Sequence, residues 1–400
     1  MSERSNLWQG PQLSPASELG EILRRGMIRS VFQPVVDLDT GALFGFEALA
    51  RGPEGSPLEQ PAQLFAAARD EGRVGELDHA CQRAAMNGVR RHRLQAPLAV
   101  FVNAELDSVG FGPLPPVDSG VRAVVELKER CLAGHLPELL PAVQRARSDG
   151  WGVALDDIGA DLRRLALMPV VYPDVIKLDL RRLEQRSAWD AHAIAEAVCV
   201  QAEQTGATVL AEGIESAAQL QHARALGATL GQGHHLGRPV EQPRRAQVTG
   251  TPLALPAPAM PAAWRTPFDL ASVHRPVRRG PERLLAAISS ELERKAATTQ
   301  SATLLIRSLP EPGGAIRSTF DHRELDQRLV TEHDPLHGTW NVLAISTGSA
   351  SMLAARQHGR ERSRRQQVFD FVVTHDRGIV VECAQALMLR PGVVDIFDPR

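Results

Sequence analysis

Polar residues close a series of short apolar runs in the first half of the chain. Glu47 follows Phe44–Phe46, Asn103 follows Val100–Val102, Glu126 follows Val124-Val125, and Asp156-Asp157 follows Val153–Leu155. Lys177 follows Val175-Ile176, Glu212 follows Val209–Ala211, and Gln232 follows Thr229–Gly231. A single acid at a strand end is ordinarily solvated; the same placement repeated strand after strand is not. Carboxylates gathered at one place repel and raise one another's pKa unless a cation compensates. Carboxylates with one Asn amide are all-oxygen donors, the set that suits Mg²⁺ or Mn²⁺, and no Cys or His nearby has zinc-ligand spacing. The Asp156-Asp157 doublet can bridge two such ions. Lysine occurs only at 128, 177 and 295, so Lys177, set among apolar residues ahead of Asp179, stands out as a positioned charge. Two ions about 3.5–4 Å apart, with an activated water, suit in-line displacement at a phosphodiester. On residue types alone, an enolising barrel enzyme using Mg²⁺ and Lys177 stays open as well.

Such residues need strands whose ends meet. Strand patterns fall at 31–38, 43–49, 98–103, 122–127, 152–155, 174–178, 208–211 and 229–232. Helical patterns fall between them, at 62–71, 75–91, 136–148, 188–204 and 217–226. Strands alternating with helices imply parallel pairing through right-handed crossovers. The number of strands suits a closed TIM-like (β/α)8 barrel, whose carboxyl strand ends share one mouth. An open doubly wound sheet is the alternative, but no G-x-G-x-x-G opens a helix here. A proline-rich stretch, 246–267, reads as an extended linker. It separates a barrel over 1–245 from a smaller α/β domain over 268–400.

Bulk properties narrow the partners. The 45 basic and 47 acidic residues nearly cancel, which argues against a nucleic acid polymer. No apolar run reaches the ~18 residues of a bilayer span, and the first 14 residues lack the apolar core of a signal peptide, so no membrane is expected. Cys81, Cys131, Cys199 and Cys383 are scattered, as free thiols in a reducing cytoplasm would be.

Taken in order, the motifs resemble those of EAL domains, the bacterial cyclic-di-GMP phosphodiesterases, over about residues 15–245. They include Phe32-Gln33-Pro34, Glu47-Ala48-Leu49-Ala50-Arg51, Val102-Asn103, Glu126-Leu127-Lys128-Glu129, Asp156-Asp157-Ile158-Gly159, Ile176-Lys177-Leu178-Asp179, Ala211-Glu212-Gly213-Ile214-Glu215 and Gln232-Gly233. The resemblance implies metal-dependent hydrolysis of cyclic-di-GMP to linear pGpG. It implies that Glu47, Asn103, Glu126 and Asp156 hold a first Mg²⁺ or Mn²⁺, and that Asp156 and Asp157 serve a second. By the same resemblance Lys177 orients the attacking water, Glu212 is a general base or near-metal ligand, and Gln232 holds a water. Gln33 and Arg51 would contact substrate, the guanidinium pairing with phosphate oxygens. Glu129 would brace the loop after Asp157, with Asp179 and Glu215 supporting the mouth.

The chain departs from the family after the doublet. Where D-D-F-G-T-G-Y-S-S is usual, it reads Asp156-Asp157-Ile158-Gly159-Ala160-Asp161-Leu162-Arg163-Arg164. In the family this loop supports dimerisation, so a homodimer is one expected partner state, and losing a Gly removes backbone freedom. Arg163 and Arg164 read as a solvated pair, and His234 and His235 as the end of a loop. The competing reading is a weak or inactive EAL-type receptor that binds cyclic-di-GMP and signals through protein contacts.

In residues 268–400 helices are expected at 282–296, 349–357 and 379–389, and strands at 302–309, 340–346 and 368–374. His322, His333, His337 and His375 lack ligand spacing, and the run Arg360, Arg362, Arg364, Arg365 reads as a solvated helix start. The stretches 334–342 and 369–377 resemble the DICT sensory domain, which implies a regulatory input of unknown signal; a docking domain is the alternative.

Overall fold

The computed structural model describes residues 15–105, 114–117, 120–134, 136–159, 161–243, 248, 252–255, 264–298, 303–310, 315–320, 323–329, 334–358 and 367–390. The polar N-terminal stretch, His322, His333 and the arginine run 360–365 lie outside them. The chain forms two units. The first is Met1–Glu129, Ala142–Ala160 and Pro173–Pro256; the second is Arg130–Pro141, Asp161–Tyr172 and Ala257–Arg400.

Eight strands close the barrel in sequence order: β1 Arg29–Asp37, β2 Leu43–Arg51, β3 Ala99–Ala104, β4 Arg122–Lys128, β5 Gly152–Ile158, β6 Val175–Asp179, β7 Thr208–Glu212 and β8 Leu230–Gly231. Helices along this stretch are α1 Pro15–Arg25, α2 Pro61–Asp70, α3 Val74–Arg91, α4 Arg130–Gly134, α5 Leu136–Ser148, α6 Met168–Val171, α7 Leu180–Glu184, α8 Ala188–Thr205 and α9 Ala217–Ala225. From β2 to β8 every neighbour pairs in parallel, as alternation with helices requires. β1 departs from the expected parallel pairing, running antiparallel to both β2 and β8. The cause is connection length. Residues 38–42 are too few for a crossover, which needs about a dozen, so β1 and β2 make a hairpin.

The strands pack Val35, Phe101, Val124, Ala154, Val175, Leu210 and Leu230 around a shared core. Leu253, from the stretch expected to be a linker, is 3% exposed within that core, and Leu255 packs beside it. Part of the proline-rich segment is therefore barrel core.

The second unit carries a seven-stranded antiparallel sheet in the order β12-β11-β10-β13-β14-β15-β9. Its elements are α10 Pro267–Ser272, β9 Arg278–Pro281, α11 Glu282–Thr298, β10 Thr303–Ser308, β11 Ala315–Phe320, β12 Arg323–Leu329, β13 Thr339–Ser346, β14 Ala350–Gln357, β15 Val368–Thr374 and α12 Arg377–Met388. On one face α11 lays Leu285 and Leu292 over Trp340, Val342, Leu353, Ala355, Phe369 and Phe371. Helix α10 packs on β14 and β15, and α12 on β13 and β14.

The expected helix at 349–357 is wrong: those residues form β14. Ala, Met and Leu favour a helix intrinsically, but β14 pairs on both edges with β13 and β15 and buries Met352–Ala355 on both faces. Packing overrides propensity here. Segment 161–172 also belongs to this unit. Its 3-10 turn Leu162–Leu167 and α6 bury Leu165, Leu167, Val170 and Val171. The Gln385 Nε2 of α12 donates to Val170 O at 2.7 Å.

Candidate active site

Strand register fixes the site. β3 sets Asn103 beside Glu126 of β4, β6 sets Asp179 beside Glu212 of β7, and the reversed β1 sets Gln33 beside Glu47 of β2. Residues two apart on a strand share a face, so Lys177 and Asp179 point the same way. Strict alternation would send Asp156 and Asp157 to opposite faces. β5 carries a bulge here, Leu155 pairing with Ile176 but Ile158 with Leu178, so three steps on β5 match two on β6; Asp156 lines the cleft, while Asp157 does not and meets Arg182 instead. Asp157 absorbs the irregularity at φ +63°, a left-handed conformation that Asp tolerates better than most side chains.

At the mouth, the Lys177 ammonium is 1% exposed and faces four carboxylates. Its Nζ lies 2.5 Å from Glu126 Oε1, 2.5 Å from Glu212 Oε1, 3.3 Å from Asp156 Oδ1 and 3.6 Å from Glu47 Oε2. Asn103 Nδ2 donates to Glu47 Oε1 at 2.9 Å, and Gln232 Nε2 donates to Glu47 Oε2 at 2.8 Å. Burial opposes the charge on Lys177, but Asp156, Glu126, Glu212 and Glu47 outweigh it and hold the ammonium well above an ordinary lysine pKa. Glu126 and Glu212 are pushed well above the usual carboxylate range, first by burial and then by neighbouring carboxylates, against the pull of Lys177. Asp156 feels burial too, yet Lys177 and hydrogen bonds hold it below its ordinary value.

Gln33, Glu47, Asp156, Lys177, Asp179, Glu212 and Gln232 line a cleft of about 250 Å³, together with Arg181, Gly213, Gly233 and His234. Gln33 Nε2 donates to Gly237 O at 3.2 Å. Asn103 and Glu126 join the cleft residues through Glu47 and Lys177. Arg51 does not line the cleft; its Nη1 donates to Ala50 O at 2.8 Å. Buried Glu129 ties β4 to β5 by donating its backbone N–H to Asp156 O at 2.9 Å. Glu215 is exposed and pairs with Arg181.

The altered loop finds its own capping. Asp161 Oδ1 accepts the Arg163 backbone N–H at 3.0 Å and the Arg163 Nε at 3.1 Å, so the residue standing in for glycine starts the 3-10 turn. Arg163 and Arg164 both pair with Asp161. Gly159 at φ +121° keeps the backbone freedom that a side chain would deny. Sequence reading missed Arg181 and Arg182. They follow Asp179, whose carboxylate accepts the backbone N–H of both and caps α7, and that capping pattern was the available signal.

Donor chemistry fits a hard divalent cation. Glu126 Oε2 is buried without a hydrogen-bond donor, Glu126 Oε1 and Asp156 Oδ1 face the Lys177 ammonium, and four carboxylates outnumber that one ammonium. Among the described residues, no three Asp, Glu, His or Cys side chains stand in a ligating array; the carboxylates close on Lys177 instead.

The EAL domain profile matches residues 16–239. The chain belongs to the EAL domain family. Oxygen sensor protein DosP of Escherichia coli K12 is 28% identical over 244 residues, covering 56% of this chain and 29% of that protein. Cyclic di-GMP phosphodiesterase NbdA of Pseudomonas aeruginosa is 27% identical over 244 residues, covering 57% of this chain and 31% of that protein. The chain thus spans under a third of the length of these EAL relatives. A solved manganese/cyclic-di-GMP complex of BlrP1 from Klebsiella pneumoniae superposes with a TM-score of 0.43 at 24% identity, covering 54% of this chain and 56% of that one. Among the described residues, no helix is long and apolar enough to cross a membrane.

Proposed function

We propose that the EAL barrel hydrolyses cyclic-di-GMP to linear pGpG with divalent metal, and that residues 268–400 regulate it. The observation that carries this reading is the Lys177 ammonium held among Glu47, Glu126, Asp156 and Glu212 at a barrel mouth. Glu47, Asn103, Glu126 and Asp156 would hold a cation. Bound Mg²⁺ or Mn²⁺ supplies Lewis acidity and lowers the pKa of water toward neutrality. Glu212 would take a proton from the attacking water as that water adds to phosphorus, while one P–O ester bond breaks and the ribose oxygen leaves with a proton from solvent. Lys177 steadies the negative charge that develops on the phosphoryl oxygens. Gln33 and Arg181, at the cleft wall, offer donors to the phosphates.

Regulation is supported by the second unit's composition. The segment that follows Asp157 and Gly159 folds with the C-terminal sheet, so a DICT-like sensory domain would act on the chain next to the Asp doublet.

Incubating the full chain with cyclic-di-GMP and Mg²⁺ or Mn²⁺, then resolving nucleotides by chromatography, tests the reading. Linear pGpG is expected, and Glu47→Ala should abolish it. Binding without any pGpG would leave the receptor reading standing instead.

A further inference from the structure

Asp157 already has a cation of its own. Arg182 Nη2 donates to Asp157 Oδ1 at 3.1 Å, and Arg182 Nε donates to Asp179 Oδ2 at 3.0 Å. One edge of a single guanidinium thus bridges two carboxylates, a planar fork that a lysine would not reproduce. The local sequence builds this. Asp179 ends β6 and caps α7, its Oδ1 accepting the backbone N–H of Arg181 at 2.9 Å and of Arg182 at 3.3 Å. Three residues past the cap, Arg182 folds back over Asp179 and reaches the bulged end of β5. Both carboxylates are therefore committed: Asp179 to a helix cap and a guanidinium, Asp157 to the same guanidinium.

We propose that Arg182 is a positioning residue that supplies at Asp157 the positive charge of a second divalent ion. This chain then holds one cation, at Glu47, Asn103, Glu126 and Asp156. The inference deepens the hydrolase reading and rests on it for the role of that cation. A guanidinium fixes Asp157 in its left-handed turn without metal, whereas a dication would have to displace Arg182 and leave it to solvent.

Mn²⁺ titration of the full chain, with free ion counted by electron paramagnetic resonance and no nucleotide present, reads this directly. Arg182→Met should take up one more ion per chain than the wild type. Adding Asp157→Asn to Arg182→Met should return the count to the wild-type value, placing the gained ion at Asp157. Two ions on the wild type overturn the proposal. So does an unchanged count in Arg182→Met that retains the wild-type thermal transition; should that variant lose the transition, Arg182→Gln is measured in its place. The count does not depend on turnover. A chain that makes no pGpG yet gains an ion on losing Arg182 refutes the hydrolase reading alone, and an active chain indifferent to residue 182 refutes this proposal alone.

Discussion

The Lys177 ammonium sits 2.5 Å from the Glu126 carboxylate, and neither side chain is more than 1% exposed. An isolated pair at that depth gains little against its desolvation. Here the same ammonium also faces Glu47, Asp156 and Glu212, so four carboxylates share it.

Lys177→Met should therefore destabilise the metal-free chain by ~3–5 kcal/mol, the cost of leaving buried charges without their partner. Added Mn²⁺ should recover most of the loss, because a dication compensates the same carboxylates. Urea melts with and without Mn²⁺ check both halves. Equal metal-free midpoints for variant and wild type would remove Lys177 from its central place.

A second buried acid gives a pH signature. Asp78 of α3 is 5% exposed, and burial pushes its carboxyl up to about 8, with the Glu105 backbone N–H opposing and the Glu105 charge adding. Below about pH 4 folded and unfolded chains both hold this proton. Between about 4 and 8 only the folded chain holds it, so stability falls as pH rises, by up to about 1.4 kcal/mol per pH unit. Gln82 Nε2 donates to Asp78 Oδ2 at 2.9 Å and leaves its Oε1 without a donor, so an amide at 78 can be accommodated by turning Gln82 over. Asp78→Asn should match the wild type near pH 4 and exceed it by a margin that grows up to pH 8. Parallel urea midpoints across that range would contradict the assignment.

The strand-end positions were legible because a barrel turns alternation into convergence: every second residue faces inward, and the carboxyl ends share a mouth. The direction of β1 was misjudged as parallel, although the shortness of 38–42 called for a hairpin. Asp157 was picked out as half of a doublet, but its surroundings were not legible, since the bulge in β5 and the Arg182 partner are visible only in the structure. Arg182 was hidden for a related reason. Its partner Asp157 is remote in sequence, and only the cap at Asp179 hinted at where its side chain would go. β14 was misread because Ala350–Gln357 carries helix formers into the middle of a sheet, where burial on two faces decides. Proline content concealed Leu253, an apolar residue that the open end of the barrel core takes up.

Truncating that leucine should cost more than a linker residue could. Leu253→Ala removes a side chain packed against Val35, Phe101, Val175 and Leu210. A loss of ~2–5 kcal/mol is expected, with cyclic-di-GMP turnover unchanged at temperatures where the variant stays folded. A loss under about 0.5 kcal/mol, as at an ordinary surface position, would mean the segment is only a linker.

Removing residues 250–400 outright is a poor test of regulation, because it takes Leu253 from the barrel and strips Leu165, Leu167 and Val170 of the unit that buries them. Gln385→Leu is cleaner. Its amide donates to Val170 O within a buried contact, so the change orphans one carbonyl and should cost ~1–3 kcal/mol. If the C-terminal domain acts on the chain after Asp157, kcat for cyclic-di-GMP should shift severalfold while the oligomeric state, read by light scattering, stays fixed. A changed oligomer with unchanged kcat would favour a docking role for the domain. A stability loss that leaves both untouched would show that the hold on Val170 is structural and separate from turnover.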